Sequence, residues 1–182
     1  MDNLELWNLR WSVETSARYH DWRRSRLWAI VQVTRMITLG GAVVVLVTAL
    51  NPALLGTGLV SIIVALASIL IAFVSLLDLV LNFSGSAQRH EELYRRFKEL
   101  QADIERFGFE SEKHIAEWEA KAQTIRIDEP PTLWAVYARS WNQTIERHSA
   151  ERRGFYRKIA WWQQLLSGFV HFNPQDFPPV TA

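Results

Sequence analysis

The chain has 182 residues, a formal net charge of +1 and no cysteine. That length suits one modest domain and excludes an enzyme core joined to a separate membrane module, and the near-zero charge excludes a global field that would select a nucleic-acid duplex as partner. The lack of thiols excludes disulfide frameworks and thiolate metal sites and fits a reducing compartment.

Mean hydropathy is -0.04, but it averages two unlike parts. No residue from Met36 to Leu77 is charged, while both flanks are dense in Arg, Glu, Lys and Trp. In chain order, residues 1–26 read as an amphipathic helix with a short seam of Leu4, Trp7 and Trp11. Its basic residues Arg18, Arg23, Arg24 and Arg26 gather before the apolar run, and His20 closes the stretch "SARYH".

The uncharged stretch is about twice the roughly 20 residues that one helical crossing of a ~30 Å hydrocarbon layer needs. It predicts a two-span hairpin over residues 27–80. The turn lies in "ALNPALLGTGLV", where Asn51-Pro52 ends one helix and Gly56-Thr57-Gly58 offers a second break, so the tip falls at 51–58. The second span, "GLVSIIVALASILIAFVSLL", is apolar all round and leaves no wet face for a soluble hairpin. A signal peptide does not fit, because the run is too long and follows a largely polar segment. Arginines precede the first span and Arg89, Arg95, Arg96 and Lys98 follow the second, while the tip carries no charge. The positive-inside rule then puts both termini in the cytoplasm.

Arg35 stands at the head of the first span. Residues equidistant from a hairpin tip lie at equal depth, and Arg35 and Asp78 mirror each other about a point between Gly56 and Thr57. They are either an inner-membrane charge pair or, for Arg35, a plain boundary marker that snorkels to the interface. In the second span Ser61, Ala65, Ser68, Ala72 and Ser75 share one face. This small-residue stripe is either a packing seam or the hydroxylated lining of a pore built from several hairpins. Thr34, Thr38, Gly41 and Thr48 give the first span a weaker version.

Residues 81–127 continue as stalk helices, with Leu93, Phe97, Leu100, Ile104 and Phe107 on one apolar seam. "SAQRH" ends at His90, which mirrors His20 about Leu55. The two histidines face each other just below the headgroups, where polar packing is favoured over metal binding because two ligands make a poor site. In residues 128–172, Pro130-Pro131 opens a helix from Thr132 to about Arg147, with Asp128 and Glu129 near its positive end. These acids either cap that start or meet arginines of a neighbouring subunit. Further on, Phe155, Ile159, Trp162, Leu166 and Phe169 form one apolar face. It either packs on the stalk, the slightly favoured reading, or lies on the inner leaflet with Trp161 and Trp162 at headgroup level. Residues 173–182 are expected to be a poorly ordered tail.

The fold expected is therefore an all-α membrane protein: a two-transmembrane hairpin extended into a cytosolic stalk, with additional C-terminal helices. No Gly-rich phosphate loop, metal-ligand cluster or nucleophile with a positioned base is present, so neither an enzyme nor a cofactor is expected.

"SARYHDWRRSRLW" before the hairpin, the two close spans, "SAQRHEELYRRFKELQADIE" after it and "DEPPTLWAVYARSWNQ" beyond resemble the SLATT family of two-transmembrane effectors from bacterial nucleotide-signalling conflict systems. The resemblance runs from about Leu6 to Phe169 and rests on the order of elements together with the His-x-x-Leu-x-x-x-Phe-x-x-Leu and Asp-Glu-Pro-Pro stretches. It implies an inner-membrane effector of anti-phage defence that oligomerises and permeabilises or depolarises the membrane. The implied activator is a nucleotide second messenger, often a cyclic or linear oligonucleotide, or a signalling enzyme encoded alongside. A non-conducting anchor or adaptor that recruits a cytosolic partner is the alternative.

Overall fold

A computed structural model describes residues 2–51, 58–107, 112–148, 156–168 and 170–179. The protein is all-α, with α1 over Asp2–Leu50, α2 over Gly58–Leu81, α3 over Phe83–Phe107, α4 over Glu112–Ile127, α5 over Trp134–His148 and α6 over Trp161–Leu166, followed by a 3-10 turn at Pro174–Asp176. The chain forms two compact units, Ser25–Gln88 and the combination of Met1–Arg24 with Arg89–Ala182.

Helix α1 runs unbroken for 49 residues because the first proline is Pro52, and the residue before a proline is disfavoured in the helical region. The expected tip, 51–58, lies outside the described residues except for Asn51 and Gly58. The opposite end of α2 stops at Asn82, whose φ of 45° is the left-handed conformation that asparagine tolerates better than most side chains. The Asn82 side chain accepts the Gly85 amide at 3.1 Å and so caps α3. A Cβ on Gly85 would lie 2.5 Å from that same side chain, which is why a glycine follows three residues later.

In the Ser25–Gln88 unit Leu27, Val31 and Ala87 are buried near its two ends, but most apolar side chains point outward. Met36, Leu39, Leu50, Leu59, Ile69 and Leu79 are all exposed, and no residue of α2 is buried. An exposed apolar surface of this extent is the pattern of a lipid-facing hairpin rather than of a soluble core. Both helices are long and apolar enough to cross a membrane.

The other unit is organised in the opposite sense. Its main core joins Leu6, Leu9, Val13 and Ala17 of α1, Leu93, Phe97, Leu100 and Ile104 of α3, and Ile115, Trp118, Ala122 and Ile125 of α4. The α3 seam is the predicted one except that Phe107 is exposed. On α1 the predicted seam is followed in part: Trp11 is buried and Trp7 half-buried, but Leu4 is exposed, and Leu6, Leu9 and Val13 face inward. Smaller clusters join Tyr19 to Leu133 and Val136, and Ala135 and Ala138 to Phe177.

The tail differs from expectation. Phe177 is buried, Lys158 donates its amide to the Pro178 carbonyl at 3.1 Å, and Arg157 Nη1 donates to the Phe177 carbonyl at 3.1 Å. One aromatic ring placed in the core orders the segment up to Pro179, outweighing the backbone entropy that prolines and a chain end would otherwise leave unopposed.

Candidate functional site

Three stretches far apart in sequence converge on one buried cluster. His20 of "SARYH" and His90 of "SAQRH" meet with their Nδ1 atoms 2.8 Å apart, both rings buried. The expected facing of these residues across α1 and α3 is present. The third component comes from the Asp-Glu-Pro-Pro stretch: Glu129 Oε1 lies 3.3 Å from His20 Nε2. A carboxylate only accepts, so His20 carries its proton on Nε2. The His20 ring also stacks on Phe97 at 5.6 Å.

Around this contact the connection between α4 and α5 is fastened at several points. The Tyr19 hydroxyl accepts the Leu133 amide at 3.1 Å, one of the first donors after two prolines that have none. Arg96 Nη1 donates to Asp128 Oδ2 at 2.5 Å, and Arg89 Nη2 donates to the Asp128 carbonyl at 2.7 Å. Asp128 and Glu129 thus take partners within the chain, where the sequence leaves open either a helix cap or arginines of a neighbouring subunit. Burial and the nearby charges of His20, Arg23 and Arg89 hold His90 down to about 3, so it stays neutral near neutrality. Burial pushes the Tyr19 phenol up.

A second polar cluster had no counterpart in the sequence reading. Glu14, buried on α1, accepts Arg18 Nη2 at 2.9 Å and His148 Nε2 at 2.5 Å, with Arg147 Nη1 3.5 Å away. Burial pushes its carboxyl up, but His148 and Arg18 outweigh this and leave it below the ordinary carboxylate value. Two cavities adjoin it. One of about 120 Å³ is bordered by Trp7, Arg10, Trp11 and His148, the other, of about 170 Å³, by Arg18, Tyr94, Lys98 and Arg147. Both fall short of the ~300 Å³ at which small-molecule pockets begin.

In the Ser25–Gln88 unit the serine stripe lies away from the contact between the spans. Ser61, Ala65, Ser68, Ala72 and Ser75 are exposed, while Val60, Val64, Ala67, Ile71, Val74 and Asp78 are half-buried at alternating four- and three-residue steps. The closest approach is at Gly41, where an added Cβ would stand 2.4 Å from Ile71 Cδ1. Thr34, Thr38 and Thr48, half-buried or buried, donate their hydroxyls back to the carbonyls of Val31, Thr34 and Val44 on α1 itself, and Ser68 does the same to Val64 at 2.8 Å. Such back-bonding satisfies a hydroxyl inside lipid without a partner helix.

Arg35 and Asp78 are not joined. Arg35 is exposed, Asp78 Oδ1 is buried without a hydrogen-bond partner, and among the described residues no ion pair links them. Equal depth is not enough, because the mirror relation fixes height along the hairpin and says nothing about which side of the helix each residue takes.

No family model, curated protein or solved structure matches this chain. The site is therefore read from its own geometry. Among the described residues no three His, Asp or Glu side chains are arranged to hold a metal ion. The sequence could have indicated Glu129, since it adjoins two prolines that bring the chain back toward α1. For Glu14 the local signal is only Arg18 four residues on, while its other partner His148 is 134 positions away.

Proposed function

We propose that this chain is a membrane effector of a bacterial anti-phage, abortive-infection system. Its hairpins oligomerise in the inner membrane, with both termini in the cytoplasm, and permeabilise or depolarise it when a nucleotide-type signal or a partner protein engages the cytosolic helices. The observation that carries this reading is the position of Ser61, Ser68 and Ser75. They lie on the exposed side of α2, away from the seam with α1, where a neighbouring copy can reach them. The resemblance of the flanking motifs to the SLATT family supports the same reading.

In this mechanism the buried cluster of His20, His90 and Glu129 is the coupling element. Sliding α1 against α3 breaks the histidine contact and the Glu129 and Asp128 attachments together, so the packing has two arrangements rather than a continuum. A signal drives the change only by binding one arrangement more tightly. The cavities beside Glu14 are too small to enclose an oligonucleotide, and the two larger hollows, about 560 and 500 Å³ on either side of α4, are open grooves, which favours a protein carrier or a signal bound on an open surface.

Inducing the chain in bacteria while recording membrane potential and dye entry tests the proposal. Depolarisation is expected on activation, and Ser68→Leu is expected to abolish it with insertion intact. Cells that stay polarised with every candidate signal would sink permeabilisation and leave the second reading, a non-conducting anchor. That reading is favoured by the absence of any charge from Met36 to Leu77 that would attract ions into a pore.

A further inference from the structure

Helix α6 is inside out for a helix in water. Its inward positions are polar, with Gln163 only 7% exposed and Ser167, just past its end, 4%. Its apolar positions all point outward: Trp161 is 73% exposed and Leu165 66%, with Trp162 and Leu166 also exposed, beside one polar residue, Gln164. Residues 161, 162, 165 and 166 fall on one side of a helix, so these four side chains make a single face. The sequence leaves this face, with Ile159, either to pack on the stalk or to lie on the inner leaflet; Phe155 and Phe169, its other members, lie outside the described residues. Ile159 takes the first course, partly buried on the cluster of Ala135, Ala138 and Phe177, and Trp162 and Leu166 do not.

The inverted orientation is held by specific bonds. Gln163 Oε1 accepts the Ala160 amide at 2.8 Å, and Ser167 Oγ donates to the Gln164 carbonyl at 2.7 Å. Arg23 Nη1 donates to the Gly168 carbonyl at 2.8 Å, which ties the end of α6 to α1. The surrounding sequence has one sign of charge. From Arg152 to Gln175 there are Arg152, Arg153, Arg157 and Lys158 and no acidic residue, and Lys158 is exposed three residues before Trp161. Tryptophan and leucine outward, polar groups inward and cations alongside are the composition that an anionic headgroup layer accepts.

We infer that α6 is an interfacial helix that rests on an anionic bilayer surface, with Trp161, Trp162, Leu165 and Leu166 at the headgroup–acyl boundary and Lys158 at the phosphates. The chain then contacts lipid at a second place besides its two spans, and this holds whether or not the hairpins conduct.

The native chain has no cysteine, so a single spin label reports one position. The full chain carrying labelled Leu165→Cys is placed in nanodiscs containing about one-third anionic lipid, beside a control label at Glu119→Cys on the exposed side of α4. Both sites are exposed, so neither label disturbs a packed region. Relaxation by oxygen should exceed relaxation by a water-soluble nickel chelate several-fold at position 165, and the order should reverse at 119. A 165 label as open to nickel as the 119 label would overturn the inference. So would one shielded from both agents, which would mean that protein covers the face. In zwitterionic nanodiscs, or with Lys158→Glu, nickel access at 165 should rise at least about twofold; no change would overturn the assignment to an anionic surface.

Discussion

The two units solve burial in opposite ways. In the unit of Met1–Arg24 with Arg89–Ala182, the apolar residues of α1, α3 and α4 are buried and the polar ones within, such as Glu14, His20 and His90, have hydrogen-bond partners. In Ser25–Gln88 most apolar residues are exposed, and the hydroxyls of Thr34, Thr38, Thr48 and Ser68 turn back to their own helix. The same α1 serves both patterns. A side chain's energetic weight therefore depends on which solvent its segment meets, water or hydrocarbon, more than on its hydrophobicity.

The sharpest way to break this comparison is a pair of identical truncations. Phe97→Ala removes a fully buried ring and should cost about 3–5 kcal/mol, seen as a lower melting temperature of the purified chain in detergent. Phe73→Ala, at an exposed position of α2, should change stability by less than about 0.5 kcal/mol. Equal losses would mean that Phe73 is packed and that the hairpin is not lipid-facing.

Acid should act on the unit of Met1–Arg24 with Arg89–Ala182. His90 takes up its proton near pH 6.5 when unfolded but only near 3 in the fold, so between these values the unfolded state holds more protons. Stability is therefore complete above about pH 6.5 and falls as pH drops toward 3, by up to about 1.4 kcal/mol per pH unit. Melting curves of wild type and His90→Phe across this window should diverge, the variant losing most of the slope; parallel slopes would remove His90 as the sensitive group.

Smaller effects refine the seam and the attachments. Gly41→Leu forces side-chain atoms into Ile71 and should cost about 1–3 kcal/mol, partly restored by Ile71→Ala, whereas Gly40→Leu, with nothing within 4 Å of its Cβ, should be nearly neutral. Thermal melts of the three variants decide this. Asp128→Asn disrupts an ion pair that is half-exposed and should cost no more than about 1 kcal/mol. A double-mutant cycle with Arg96→Gln that gave a much larger coupling would show the attachment to be stronger than its exposure suggests.

Much of the architecture was legible in the order of residues. The two spans, the α3 seam of Leu93, Phe97, Leu100 and Ile104, the helix that follows Pro130-Pro131 and the facing of His20 and His90 all follow from patterns confined to a few helical turns or to symmetry about the tip. The points that the order of residues left open or misjudged share one cause. Arg35 and Asp78 are level but unpaired, Asp128 and Glu129 bond within the chain, Phe177 fastens a tail that composition marked as loose, and α6 shows its apolar side outward. In each case local chemistry defined what a residue can do, and the choice of partner was left open.

The sequence by itself determined where the chain is apolar enough for lipid and which face of α3 is buried, because hydrophobic length and period are properties of neighbouring residues. Only the tertiary structure decided that Glu129 meets His20, that Glu14 meets His148 and that Gln163 points inward while Leu165 does not. Those contacts join positions up to 134 residues apart or depend on which side of a short helix docks, and no periodicity along the chain carries that information.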